Sequence, residues 1–243
     1  MLVSVDDFRP WIEIFALKSR KEAGLALEKY CKFVRKMERT RADNAPEFKG
    51  EKAIWQKTHD KLQITPTHSQ EYEPPTNGNA ENAVRTCQNA VRTNMAGVDP
   101  RLWCQCAEFY IPHTWNRLSR KKKPSVYKIA YRREPKIHYF RRFGCLCYAK
   151  VQVLKRDKEH TAKLAPRYEQ GVFLGYNRNS TYRVGVWRGN VFQAIDNKTV
   201  KFDESTLISD ISDLKPDRSR SFKACPDHLC DSVIPEDDVI SRG

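Results

Sequence analysis

The sequence predicts a mixed α/β domain to about residue 98, a basic helical linker over 99–142, a small all-β barrel over 143–205 and an acidic, loosely ordered tail over 206–243. Three observations predict this order. Short alternating segments interleave with helical stripes as far as Met95, whereas every apolar run from Phe143 on alternates as in a strand. Charge is also uneven: residues 85–142 hold 14 basic side chains against 3 acidic ones, while residues 204–243 hold 5 against 9.

Met1 to Leu17 reads as a hairpin, LVSV and WIEIFAL, turned at Asp6 to Pro10 by residues that favour turns. Ser19 and Glu22 make a capping box for a helix to Met37, with Leu27, Tyr30, Cys31 and Val34 as its apolar stripe. A strand around Arg39–Ala42 leads into Asp43. Gly50 to Asp60 is predicted helical, Leu62–Ile64 a brief strand, and the proline-bearing stretch from Thr65 to Asn79 a loop. From Asn79, Ala80, Val84, Cys87, Val91 and Met95 form an apolar stripe, and Glu81, Arg85, Gln88 and Arg92 a polar one. Another helix should run from Pro100 to about Leu118, with proline at its start. Beyond Phe143, CLCYAKVQV, GVFLGY, TYRVGVW, NVFQAI and TVKFDE suit a small antiparallel barrel, with turns at Gly189-Asn190 and Asp196-Asn197.

The formal net charge is +14 over 243 residues. A basic excess this dense repels itself unless a polyanion neutralises it, which points to nucleic-acid phosphate. No stretch approaches the roughly 20 apolar residues of a membrane-spanning helix, so no membrane partner is expected. Eight cysteines without a secretory leader argue against a disulfide framework. Cys225, His228 and Cys230 could offer three metal ligands but lack a fourth nearby.

Asp43 follows a strand in RADNAPEF and Glu81 opens a helix in NGNAENAVRT. Carboxylates brought together from separate elements make a hard-oxygen site for Mg²⁺ (or Mn²⁺), which leaves room for water and a phosphate oxygen. The ordered succession of hairpin, helix, strand ending in Asp-Asn, helix, proline-rich loop and Asn-Gly-x-Ala-Glu resembles the integrase catalytic core of copia-type retrotransposons. The likeness continues through the Leu102-Trp103 helix and Pro124–Tyr131. Phe143-Gly144-Cys145, Gly171–Tyr176 and Val200–Glu204 look like the SH3-like barrel that follows that core.

The resemblance implies an incomplete ribonuclease H-like core, with Asp43 and Glu81 as catalytic metal ligands and Asn77 and Gly78 shaping the turn that presents Glu81. It implies DNA as partner, homo-oligomeric assembly when intact, a nuclear location, and metal-dependent strand transfer in the complete protein. Arg85, Gln88 and Arg92 are candidates for DNA contact, and Lys121, Lys122 and Lys123 for phosphate. Departures are Ala45 and Pro46 where the family has glycines, a slightly longer interval between Asp43 and Glu81, and Asn82 where an arginine usually follows the glutamate. The family's first catalytic aspartate lies on a central strand preceding the one that begins Met1-Leu2-Val3. Asp6 and Asp7 read as turn residues and do not replace it, so this chain alone is expected to be inactive and its core unstable. The alternatives are a decayed or recruited non-enzymatic DNA-binding protein, and an RNA-associated protein whose Tyr148, Phe173, Tyr176 and Tyr182 could stack on bases, although core packing is the expected use for most of them.

Overall fold

The computed structural model describes residues 1–32, 37–48, 54–69, 78–120, 123–151, 167–177, 179–215, 226 and 228–235. They belong to two compact units, Met1–Asn89 and Ala90–Gly243.

In the first unit, β1 (Leu2–Val5) and β2 (Ile12–Phe15) form the expected hairpin, with Leu2 opposite Phe15 and Val5 opposite Ile12. Asp6 makes its turn: Oδ1 accepts from the amides of Phe8 at 2.8 Å and Arg9 at 3.2 Å. That bonding is Asx-turn chemistry, as its sequence position suggests. Ser19 caps a single 3₁₀ turn, Arg20–Glu22, before α1 (Ala23–Cys31). The capping box is displaced by one residue. Ser19 accepts from the Lys21 amide, and Glu22 reaches back to the amide of Lys18. Leu27 and Tyr30 are buried as the stripe requires, while Val34 lies outside the described residues.

The second helix, α2 (Ile54–Leu62), buries Trp55, Thr58 and His59 and crosses α1 at Gly24. A Cβ at Gly24 would stand 2.6 Å from the Ile54 carbonyl oxygen, so only glycine permits this approach. Gly50 and Ala53, the start of the expected helix, lie outside the described residues.

β3 (Arg39–Ala42) pairs in parallel with β4 (Thr65–His68), Arg39 opposite Thr65 and Ala42 opposite His68. This corrects two expectations. Leu62 ends α2, and the strand occupies Thr65–His68, within the Thr65–Asn79 stretch whose prolines and glycine predict a loop. The bonding explains the tolerance: Thr65 donates to Glu38 and Ser69 to Ala42, so alternate residues face β3. Pro66 falls on the other phase, where its missing N–H costs no ladder bond. Among the described residues no ladder joins β1–β2 to β3–β4, so they do not show the ribonuclease H-like sheet.

The helix α3 (Gly78–Asn94) follows, with Ala83 and Cys87 buried. In the second unit, the expected helix from Pro100 divides. A 3₁₀ turn (Pro100–Leu102), α4 (Trp103–Gln105), a π-helical turn (Cys106–Tyr110) and α5 (Ile111–Arg117) run on from one another. Pro112 supplies the reason: it has no N–H for the carbonyl four residues back, and its ring presses on that turn. The widened turn lets the amide of Ile111 bond the Cys106 carbonyl instead. α6 (Val126–Tyr131) is capped by Ser125, whose hydroxyl accepts from the Lys128 amide at 3.1 Å.

The barrel strands are β5 (Cys145–Lys150), β6 (Tyr168–Asn177), β7 (Thr181–Arg188), β8 (Val191–Asn197) and β9 (Val200–Leu207), followed by the short β10 (Asp231–Ser232). Their antiparallel order is β10-β9-β5-β6-β7-β8, a curled sheet around Phe173, Tyr176, Tyr182 and Val184. All five predicted strands are present. A bulge between Phe173 and Gly175 opens β6, and Gly175 takes φ +129° there. A Cβ at that position would meet the Phe109 backbone at 2.7 Å, so the glycine seats the π-helical turn on the sheet.

The described part of the tail, residues 206–215, 226 and 228–235, is more ordered than its composition predicts. A 3₁₀ turn (Ile211–Leu214) buries Ile211 and Leu214, and β10 pairs with β9. Ile234, just beyond β10, lies in the barrel core, whereas Val233 beside it is exposed.

Candidate metal and nucleic-acid site

The strand β3 delivers Asp43 immediately after its last ladder residue. The Asp43 side chain is exposed, and its Oδ1 accepts from the Ala45 amide at 3.2 Å. The backbone around it is tied to β4 from both sides: His68 Nδ1–H donates to the Asp43 carbonyl at 3.3 Å, and Asn44 Nδ2 donates to the Ser69 carbonyl at 2.9 Å.

Deeper in, fully buried His59 links α2 to β3. Its Nδ1 lies 2.8 Å from the Trp55 carbonyl, which can only accept, so Nδ1 carries the proton. Nε2 is then the acceptor for the Thr40 hydroxyl at 2.6 Å. Burial lowers the His59 pKa, which keeps the ring in this neutral tautomer. Sequence reasoning passed over His59, His68 and Asn44. Their one signal was polarity within or beside apolar elements.

Glu81 stands exposed in the first turn of α3, where the helix dipole favours a carboxylate. Gly78 opens that helix; a Cβ there would meet nothing within 4 Å, so packing does not require glycine. Asn77 lies outside the described residues. Among the described residues no group of three or more His, Cys, Asp or Glu side chains is placed to hold a metal ion. Asp43 and Glu81 are hard-oxygen donors of the type Mg²⁺ takes, but two carboxylates fall short of a ligand set, so no catalytic step through a metal is derived for this chain. Cys225 is outside the described residues, and with it any test of the Cys225–His228–Cys230 trio.

Arg85, Gln88 and Arg92 are exposed and succeed one another on one face of α3. Arg85 Nη2 donates to the Asn82 side-chain oxygen at 3.1 Å, so Asn82 orients the arginine three residues along. Lys123 is exposed and closes a tight turn through its amide to the Arg120 carbonyl at 2.8 Å, whereas Lys121 and Lys122 are outside the described residues. Arg120 is occupied elsewhere, with its guanidinium 3.5 Å above the Trp115 ring.

The aromatics weighed for base stacking are buried, as core packing expects. Tyr148, Phe173, Tyr176 and Tyr182 are 0–5% exposed, and the last three lie in the barrel core. Alternation along β6 and β7 turns those three inward, where burying large rings stabilises the sheet, while Tyr148 falls on the other phase of β5 from Cys145, Cys147 and Ala149.

No curated protein sequence matches the chain. One chain in the cryo-EM structure of the simian T-cell lymphotropic virus intasome in complex with PP2A regulatory subunit B56 gamma aligns at 13% identity. The alignment covers 85% of this chain and 70% of that one with a TM-score of 0.45, too low to fix a shared fold. The barrel gives the clear match: residues 145–216 match the family model described as the retroviral polymerase SH3-like domain.

Proposed function

We propose that this chain is an integrase-related part of a retroelement polyprotein that binds duplex DNA through its basic segments. The observation that carries the reading is the match of residues 145–216 to the retroviral polymerase SH3-like domain. The placement of Asp43 directly after β3 and of Glu81 in the first turn of α3 agrees with it. In the complete protein these two carboxylates would help to hold Mg²⁺ or Mn²⁺ for strand transfer, in which a DNA 3′ hydroxyl displaces a target phosphodiester oxygen. The role left to this chain's own residues is phosphate binding, by Arg85 and Arg92 on α3 and Lys123 before α6.

Fluorescence anisotropy of labelled duplex DNA across a salt series tests this. Affinity should fall steeply with salt, and each of Arg85→Ala and Lys123→Ala should flatten the log–log slope by about 0.9. Slopes unchanged by both substitutions, or a preference for single-stranded RNA over duplex DNA, would overturn the reading.

A further inference from the structure

The segment after the matched family region carries an arrangement that the proposed function does not use. Residues 231–235, Asp-Ser-Val-Ile-Pro, lie as an extended strand on the edge of the barrel, with Asp231 opposite Lys201 and Ser232 opposite Val200. Their side chains alternate as in a strand laid on a groove. Ser232 and Ile234 are turned inward, at 8% and 2% exposure, while Val233 between them is 55% exposed.

Each inward residue has a matched receptacle. Ile234 joins the barrel core with Tyr139, Tyr182 and Val200. Ser232 Oγ sits 3.1 Å from Arg141 Nη2 and 2.8 Å from the Tyr182 hydroxyl. Directions follow from the donors available. Arg141 can only donate, and the Tyr182 hydroxyl donates to the Tyr139 carbonyl at 3.5 Å, so Ser232 accepts from Arg141 and donates to Tyr182. A small hydroxyl satisfies both neighbours; an aliphatic side chain would take this acceptor from Arg141 Nη2. At the two ends, Tyr168 donates to the Asp231 carboxylate at 2.8 Å, and the Ser180 hydroxyl donates to the Pro235 carbonyl at 3.5 Å.

We propose that the barrel edge beside β9 is an acceptor groove for an extended peptide reading acidic–hydroxyl–any–aliphatic–proline, and that residues 231–235 are its built-in occupant. The mode is strand addition, in which ladder bonds give affinity and alternate pockets give specificity. The ladder is only two residues long, so the segment is held chiefly by its two inward side chains and by its tether. The chain between Lys215 and Asp231 keeps its effective concentration high, so the occupant acts in cis at ordinary protein concentrations.

Cutting that tether in the folded full chain tests the idea. A protease site is inserted between Lys215 and Pro226, the protein is cleaved, and a fluorescent peptide of residues 226–243 is added while circular dichroism follows the fold. The expected result is exchange of labelled peptide into the cleaved protein and none into the uncleaved one. Ile234→Asp or Ser232→Phe in the peptide should weaken exchange about tenfold or more, and Val233→Ala should change it little. Retention of the cleaved fragment against excess peptide would overturn the proposal, because the strand would be a permanent part of the barrel. Unfolding on release, or exchange indifferent to Ile234→Asp, would overturn it equally.

Discussion

Replacing Asp99 by alanine removes more than a surface charge. Asp99 is 2% exposed, and its carboxylate gathers the segment before α4 and the 3₁₀ turn at Ile211 into one polar knot. It accepts from the Arg101 amide at 2.9 Å as the cap of the Pro100–Leu102 turn, from Arg101 Nε at 3.0 Å, and from the Ile211 amide at 2.8 Å. Alanine removes the cap, worth about 1 kcal/mol, and leaves the buried Ile211 amide without an acceptor, a further 1–3 kcal/mol or so. The outer half of the knot adds little, because Arg101 and Asp210 are each more than half exposed. A total of about 2–4 kcal/mol should lower the melting temperature of this unit by roughly 4–16 °C. Asn should lose less than Ala, since an amide oxygen can still accept from Ile211.

The same knot sets an acid limit. Hydrogen bonds from Arg101, aided by the Ile211 and Arg101 amides, hold the Asp99 carboxyl well below the usual carboxylate range. Its contribution is therefore complete above the unfolded value near 3.9 and is lost as pH falls below it. Differential scanning calorimetry at pH 7 and pH 3.5 reads both effects. A melting temperature for Asp99→Ala within about 1 °C of the parent at pH 7 would refute the reasoning.

Three further outcomes follow from the packing. Gly175→Ala combines a φ of +129° with a 2.7 Å approach to the Phe109 backbone, so it should cost about 2–5 kcal/mol, read from urea midpoints; a neutral effect would refute the seating role of this glycine. Burial holds both His113 and His59 below their ordinary pKa, so the unfolded chain takes up more protons than the folded one below about pH 6.5. Stability should be complete above that pH and decline beneath it, and His113→Gln, which can still bond the Tyr139 hydroxyl, should flatten the decline. Gly78→Ala should leave unit one intact or raise its stability by up to about 1 kcal/mol, since glycine's entropy is the main thing it removes; a loss of more than that would show a backbone need at this position.

Much of the fold was legible wherever one rule dominated. The hairpin at Asp6, the strand ending at Ala42, and the five barrel strands all show period-two patterning bounded by turn residues, and each stands where that pattern puts it. The misses have physical causes. Pro66 argued against a strand, but only the phase of the ladder decides whether its missing N–H matters. Pro112 sits inside an apolar helical pattern, and nothing local tells whether the helix will break, kink or widen. β10 and Ile234 escaped because their partners, Val200 and Tyr182, are far away in sequence. At the candidate site, a sequence motif marks Asp43 and Glu81. Its supports, His59 and Asn44, are defined only by contacts across elements.

The two strand pairs of the first unit hold a consequence for how this protein breathes. Among the described residues each of these ladders is two strands wide, and such pairs are marginal by themselves in water. Deuterium should therefore enter β1 through β4 by small local openings within minutes, while the amides of β5, β6 and β7, flanked on both sides, wait for cooperative unfolding of the barrel. Asp43 rides on the faster-exchanging half, so anything that orders it, whether a neighbouring strand or a bound phosphate, should announce itself first as slowed exchange along Arg39–Ala42.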